Sequence, residues 1–158
     1  MLDDVQFRPL RADEATFLID ALYHAIYIPP GVTAPPKTIV RNPDLAVYID
    51  GFGTHSGDEG ILAVHETLPV GAAWSRYIRG YGFVDETIPE LSISILPDYR
   101  GMGIGTRLLE ALLDRLKGSA EQVSLSVNLS NPAYRLYERY GFKVVTVDGD
   151  SAIMLRDL

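Results

Sequence analysis

The chain has 158 residues, enough for one domain, and its 47% hydrophobic and 22% charged residues are the balance of an ordinary globular protein. It contains no cysteine, which excludes a disulfide framework, a thiolate zinc site and a cysteine nucleophile. With 14 Lys and Arg against 21 Asp and Glu the formal net charge is −7, the wrong sign for a nucleic-acid surface and better suited to a cationic partner such as an amine.

Met1 to Leu10 carry Asp3 and Asp4 and lack a long apolar stretch, so no secretory signal is expected. No apolar run approaches the ~20 residues of a membrane span. These features predict one cytoplasmic domain over residues 1–158, with no membrane and no nucleic-acid partner.

Val5–Pro9 reads as a first strand. From Ala12 to Tyr27 the apolar residues Ala15, Leu18, Ile19, Leu22 and Ile26 recur at helical spacing. Four prolines between Pro29 and Pro36 then impose a stiff loop, either a connector or a wall over a site. Asn42-Pro43 caps a second helix over Pro43–Ile49. Gly51–Gly60, with four glycines, has the composition of a mobile loop. Ile61–His65 and Val70–Ile78 flank Thr67-Leu68-Pro69 as a hairpin. Gly80–Pro89 is another loop. In Leu91–Leu96 the apolar Leu91, Ile93 and Ile95 alternate with Ser92 and Ser94, and Glu90 continues the polar face.

Thr106–Lys117 is the clearest helix, with a wide leucine face and Gly118 at its C-terminal cap. Val123–Val127 is a strand. Asn131-Pro132 opens a helix carrying Ala133, Leu136, Tyr137 and Tyr140 at i, i+3, i+4, i+7. Phe142–Val147 and Ala152–Leu155 close the chain as a hairpin through Asp148-Gly149-Asp150. The element order is β α α β β β α β α β β.

Between the sixth and seventh of these elements lies Pro97-Asp98-Tyr99-Arg100-Gly101-Met102-Gly103-Ile104-Gly105-Thr106. Three alternate glycines bring bare backbone to a helix start, where N–H groups are unpaired and the dipole is positive. That is an anion cradle suited to phosphate, and Arg100 can add a charge-assisted contact. A plain turn with a solvated arginine is the alternative. Gly105 is followed by Thr106 and no lysine, unlike a P-loop. The spacing is Gly-x-Gly-x-Gly, not the dinucleotide fingerprint, and only about 50 residues follow, too few for a second mononucleotide-binding half.

Together, Arg100-Gly-Met-Gly103-Ile-Gly105 and the downstream set Asn131, Ala133, Leu136-Tyr137-Glu138 and Gly141-Phe142 resemble the GNAT superfamily of acetyl-CoA-dependent N-acyltransferases. Both motifs stand in that family's order and spacing, and the resemblance runs over roughly Gly60 to Leu155. It implies a three-layer α/β/α fold around a mixed, splayed central sheet. Backbone N–H groups of Gly101, Met102, Gly103, Ile104, Gly105 and Thr106 would hold the pyrophosphate of coenzyme A. Pantetheine would lie beside the strand end at Ile95 and Leu96, with Asn131 bonding its arm or capping the helix. Tyr137 would be the general acid that protonates the departing thiolate.

Acetyl transfer to a small-molecule or peptide amine sets what else is needed, and the resemblance, in which many members place a glutamate at the position of Glu90, implies where to look. An alkylamine of pKa ~10.4 is neutral in about one molecule per 2,500 at pH 7, so a base is needed. Glu90 is the candidate, with Asp85 and Glu86 as rivals. A backbone N–H near Ile95 or Leu96 would hold the oxyanion. Tyr27, Trp74, Tyr81 and Phe83 are candidate walls of the acceptor pocket. His24, His55 and His65 have no metal-ligand spacing, so no metal is expected. The alternatives are a non-catalytic acyl-CoA-binding module, or an acyltransferase with another acyl donor or a hydroxyl acceptor. Exposed strand edges allow a monomer or a homodimer.

Overall fold

The computed structural model describes residues 2–158. Seven strands form one sheet in the order β1-β2-β3-β4-β5-β7-β6. They are β1 (Val5–Pro9), β2 (Glu59–His65), β3 (Leu68–Arg76), β4 (Glu90–Ile95), β5 (Gln122–Asn128), β6 (Lys143–Asp148) and β7 (Ser151–Asp157). Every neighbouring pair is antiparallel except β4 and β5. The helices are α1 (Phe17–Ala25), α2 (Pro43–Ala46), α3 (Ile104–Leu116) and α4 (Ala133–Arg139).

Strand alternation sorts side chains onto two faces. Ile61, Ala63, Ala73 and Leu91 pack with Leu108, Leu109 and Leu112 of α3 and with Tyr137 of α4. Leu62, Val64, Ala72 and Trp74 pack with Leu18 and Ala21 of α1 on the other side. The three-layer α/β/α expectation is therefore met. Among the described residues no helix is long and apolar enough to cross a membrane.

Several boundaries differ from the sequence reading, each for a local reason. The first helix starts at Phe17, not Ala12, because Ala12–Glu14 forms a separate 3₁₀ turn. Glu14 accepts from the Arg11 N–H at 3.0 Å and takes a bidentate pair from Arg8 at 2.8 and 2.6 Å, which holds that turn outside the helix. Asn42 caps α2 as expected, accepting from the Asp44 N–H at 3.0 Å, but the α-helical part ends at Ala46. The helix predicted from Thr106 begins two residues earlier, at Ile104. The turn between β2 and β3 is tighter than predicted, so Leu68 and Pro69 join β3.

Gly51–Gly60 departs most from its composition. Asp58 accepts from the N–H of Gly53 at 2.9 Å and of His55 at 3.3 Å, and its other oxygen meets Arg76 at 2.9 Å. Both side chains of that ion pair are buried. The Arg76 guanidinium also donates to the carbonyls of Val47 (3.1 Å) and Asp50 (2.7 Å) and contacts His55. One buried arginine on β3 thus ties the glycine-rich loop and the end of α2 to the sheet.

Candidate active site

β4 and β5 pair at a single register position, Glu90 with Ser124, where the Ser124 N–H donates to the Pro89 carbonyl at 3.0 Å. Beyond it the strands diverge, as the splayed sheet requires. The Leu96 N–H donates to the Val70 carbonyl at 2.9 Å, which sets the alternation along the β3–β4 ladder. Even-numbered residues of β4 bond to β3, so the amides of Ile93 and Ile95 face the gap. This corrects the expectation for Leu96. Its N–H is taken by Val70, leaving no backbone donor there for a ligand, and its carbonyl accepts from the Tyr99 N–H. By that alternation the N–H groups of this strand that point away from β3 and past the single β4–β5 pairing are those of Ile93 and Ile95.

The cradle stands at the C-terminal end of β4. Gly103 caps α3 at φ 88° and Gly101 lies at φ 77°, conformations that cost other residues about 1–2 kcal/mol. Arg107 is the first N–H to find a backbone acceptor, the Gly103 carbonyl at 3.3 Å. Among the described residues the N–H groups of Gly101, Met102, Gly103, Ile104, Gly105 and Thr106 have none. The sequence brings this about with glycines at the turn and a leucine-rich helix whose buried face docks on the sheet.

Arg100 points elsewhere than expected. Its Nε donates to the Ile95 carbonyl at 3.0 Å and its terminal nitrogen to the His24 carbonyl at 2.9 Å. It braces the cradle loop against β4 and the C-terminal turn of α1, where a cation also meets the negative dipole end.

Tyr137 rises from α4 on the same side of the sheet as α3. Its ring meets Phe142 edge-on at 5.8 Å between centroids, and no other described residue bonds its hydroxyl. Burial pushes its pKa up to about 12. Asn131 uses Oδ1 to accept from the Ala133 N–H at 2.9 Å, the capping role, and its Nδ2 amide hydrogens bond no described residue.

Glu90 faces the α1 and α2 side and is only 3% exposed. Its Oε2 accepts from the Tyr48 hydroxyl and from the Gly82 N–H (3.0 Å). Its Oε1 is buried without a partner. Burial pushes its pKa up to about 7, opposed by those two hydrogen bonds. The rivals have other duties. Asp85 is exposed and accepts from the Thr87 N–H (2.7 Å) and hydroxyl (2.6 Å), which hold it below its ordinary value. Glu86 pairs with Arg79 in solvent.

The expected acceptor walls divide. Trp74 is 1% exposed and lies in the core, with its indole N–H donating to the Tyr48 carbonyl at 2.9 Å, so it lines no pocket. Tyr27 reaches from the loop after α1 and donates its hydroxyl to the Ser130 carbonyl (3.2 Å), just past the end of β5. Tyr81 is 58% exposed, and Phe83 lies under the Arg79 guanidinium at 4.7 Å. Both sit on the loop covering Glu90.

Sequence reasoning missed Tyr48, Gly82 and Ser124. Gly82 is required because a Cβ there would lie 2.7 Å from the Leu125 carbonyl carbon and 3.0 Å from the Glu90 carboxyl carbon. Ser124 Oγ donates to the Gly82 carbonyl at 2.7 Å and pins the same loop. The alternate glycines of Gly80-Tyr81-Gly82 were the available signal. Tyr48, one of nine tyrosines, carried none. Among the described residues no group of three or more His, Asp or Glu could hold a metal ion.

Comparisons with known proteins bear on the family and the fold. The GNAT acetyltransferase domain family matches residues 56–144. An N-alpha-acetyltransferase of Saccharolobus solfataricus is 42% identical over 123 residues, which are 66% of this chain and 73% of that protein. A second, from Sulfurisphaera tokodaii, is 43% identical over 74 residues, and the chain spans only 44% of its length. The fold resembles that of the PaiA N-acetyltransferase of Thermoplasma acidophilum, solved in complex with coenzyme A. That likeness has a TM-score of 0.69 at 20% identity and covers 98% of this chain and 99% of that one. On the family match and the Saccharolobus relative, the chain belongs to the GNAT acetyltransferase family.

Proposed function

We propose that this protein transfers acetyl from acetyl-CoA to the α-amino group of a peptide or protein, by direct attack in a ternary complex. The observation that carries the reading is the pairing of two features across one strand gap. One is six consecutive N–H groups, leading into and opening a 13-residue helix, that no described backbone carbonyl accepts from; the other is a buried carboxyl with one oxygen that has no partner among the described residues. A diphosphate with several acceptor oxygens fits such a row of donors, so the residues present suit coenzyme A.

Acetyl-CoA supplies the acetyl group as a thioester whose sulfur leaves as thiolate. The chain's own groups do the rest. Residues 101–106 hold the pyrophosphate. Ile93 and Ile95 offer amides to the pantetheine arm and the carbonyl oxygen. Asn131 offers its Nδ2 to the same arm. Glu90 takes the proton from the amine, and Tyr137 gives one to the sulfur.

The proton affinity of Glu90 favours an α-amine over a lysine side chain. An α-ammonium of pKa ~8 gives its proton to a carboxyl at about 7 with ~1.4 kcal/mol of cost. A lysine ammonium of pKa ~10.4 pays ~4.6 kcal/mol for the same step. The N-alpha-acetyltransferase relatives support the same choice.

The test uses two peptides incubated with acetyl-CoA and read by mass spectrometry. One has a free α-amine and no lysine; the other has a blocked N-terminus and one free lysine. Acetylation of the first and not the second is expected. Acetylation of the lysine peptide alone would overturn the α-amine reading. Coenzyme A binding with no turnover of either would favour a binding module.

A further inference from the structure

Glu90 does not stand alone. Two segments reach its carboxyl, the stretch after α2 through the Tyr48 hydroxyl and the loop before β4 through the Gly82 N–H, and β5 pins that loop through Ser124. The centre is the Tyr48 hydroxyl. It donates to Glu90 Oε2 and accepts from the Tyr81 N–H at 2.8 Å. Tyr48 is itself held from behind. The Trp74 indole donates to its carbonyl, and Arg76 donates to the carbonyl of Val47.

We infer that Tyr48 is a positioning residue for Glu90, whose hydroxyl clamps one carboxyl oxygen and leaves the other free to take a proton. This rests on the reading of Glu90 as the base. The geometry separates the two oxygens: Oε2 receives two donors, Oε1 none. A donor to Oε2 stabilises the ionised carboxylate, so it opposes the rise that burial imposes. The phenol cannot compete for the negative charge, because burial and the adjacent carboxylate push its own pKa up.

The other charged or titratable groups at this junction do not replace it. Arg76 is opposite Glu90 in the β3–β4 ladder, but its guanidinium is spent on Asp58, His55 and the carbonyls of Val47 and Asp50. Tyr81 contributes only its backbone, and β5 contributes Ser124.

The experiment measures the Glu90 carboxyl directly, by ¹³C NMR of glutamate-labelled protein, with Glu90→Gln to assign the signal. In parallel, kcat/KM is followed against pH with a peptide bearing a free α-amine. Tyr48→Phe removes the donor and should raise the Glu90 midpoint by about one unit or more. Replacing Tyr48 by 3-fluorotyrosine keeps the fold and strengthens the donor, and should lower the midpoint. The acidic limb of the rate profile should move with the carboxyl in both. An unchanged Glu90 midpoint in both variants would overturn the inference. A midpoint that moves while the rate profile stays put would uphold Tyr48's hold on the Glu90 proton and remove Glu90 as the base.

Discussion

The indole N–H of Trp74 donates to the backbone carbonyl of Tyr48 at 2.9 Å, joining β3 to the segment after α2. A residue expected to line the acceptor pocket is instead a strut behind Glu90's clamp. Trp74→Phe should therefore destabilise the protein by about 2 kcal/mol, from the lost donor and the lost volume. The KM for the amine should stay unchanged. Urea unfolding and steady-state kinetics check both, and a raised KM without loss of stability would restore Trp74 to the pocket.

Glu90 makes stability depend on pH in a defined direction. Its carboxyl titrates at about 7 in the folded chain and near 4.5 when unfolded. Between those values the folded state holds the extra proton, so stability falls as pH rises from about 4.5 to about 7 and is level above. The contribution is roughly 3 kcal/mol. Glu90→Gln should remove this part of the slope, seen by urea titration at pH 5 and pH 8. Equal slopes in the two proteins would contradict the buried, proton-holding carboxyl.

Tyr137 is a weaker acid than its ordinary pKa suggests. At about 12 it gives a proton to a thiolate of ~8.5 at a cost of ~5 kcal/mol. The same dry gap raises the thiol's pKa as well, which narrows the difference. Tyr137→Phe should lower kcat by about 10²–10⁴-fold with little change in coenzyme A affinity. Retention of full kcat would mean that the thiolate leaves without help from this hydroxyl.

The cradle prediction uses ligand-linked stability. Coenzyme A at 100 times its dissociation constant should stabilise the wild type by ~2.7 kcal/mol. Gly103→Glu should abolish that gain, because it adds a negative charge beside the row of N–H groups. A Cβ at this position meets nothing nearer than Leu2, at 3.8 Å, so the ligand-free fold is not crowded by the change. Gly103→Ala isolates the backbone cost of φ 88°, about 1–2 kcal/mol without ligand. An undiminished response in Gly103→Glu would place the diphosphate elsewhere.

Asp58→Asn tests the buried ion pair that ties down the glycine-rich loop. Removing one partner leaves Arg76 charged and under-compensated, with an expected loss of about 3–5 kcal/mol. Thermal or urea unfolding reads it. A loss below 1 kcal/mol would mean that the backbone carbonyls of Val47 and Asp50 alone satisfy the arginine.

By itself the sequence determined the parts whose physics is local. Alternate glycines ahead of a leucine-rich stretch dictate a turn into a helix with a bare N-terminus. Alternation along Leu91–Ile95 separates the core face from the polar face that carries Glu90. Leu136-Tyr137-Glu138 followed by Gly141-Phe142 places the tyrosine against the sheet. Glu90 is a candidate, with Asp85 and Glu86 as rivals, from its place at the head of that strand and from the resemblance of that position to the glutamate of many GNAT members. Its environment is not legible there. One of its two hydrogen bonds comes from Tyr48, 42 residues away, which is in turn held by Trp74, 26 residues further along than Tyr48. The loss of Leu96 as a donor follows from the register of β3 against β4, a long-range pairing. Asp58 and Arg76 are separated by 18 residues and by the β2–β3 turn. Turn chemistry and periodicity act within a few residues and are written in the chain. Burial and the pairing of distant polar groups exist only once the layers close, and they decide which carboxyl can take a proton.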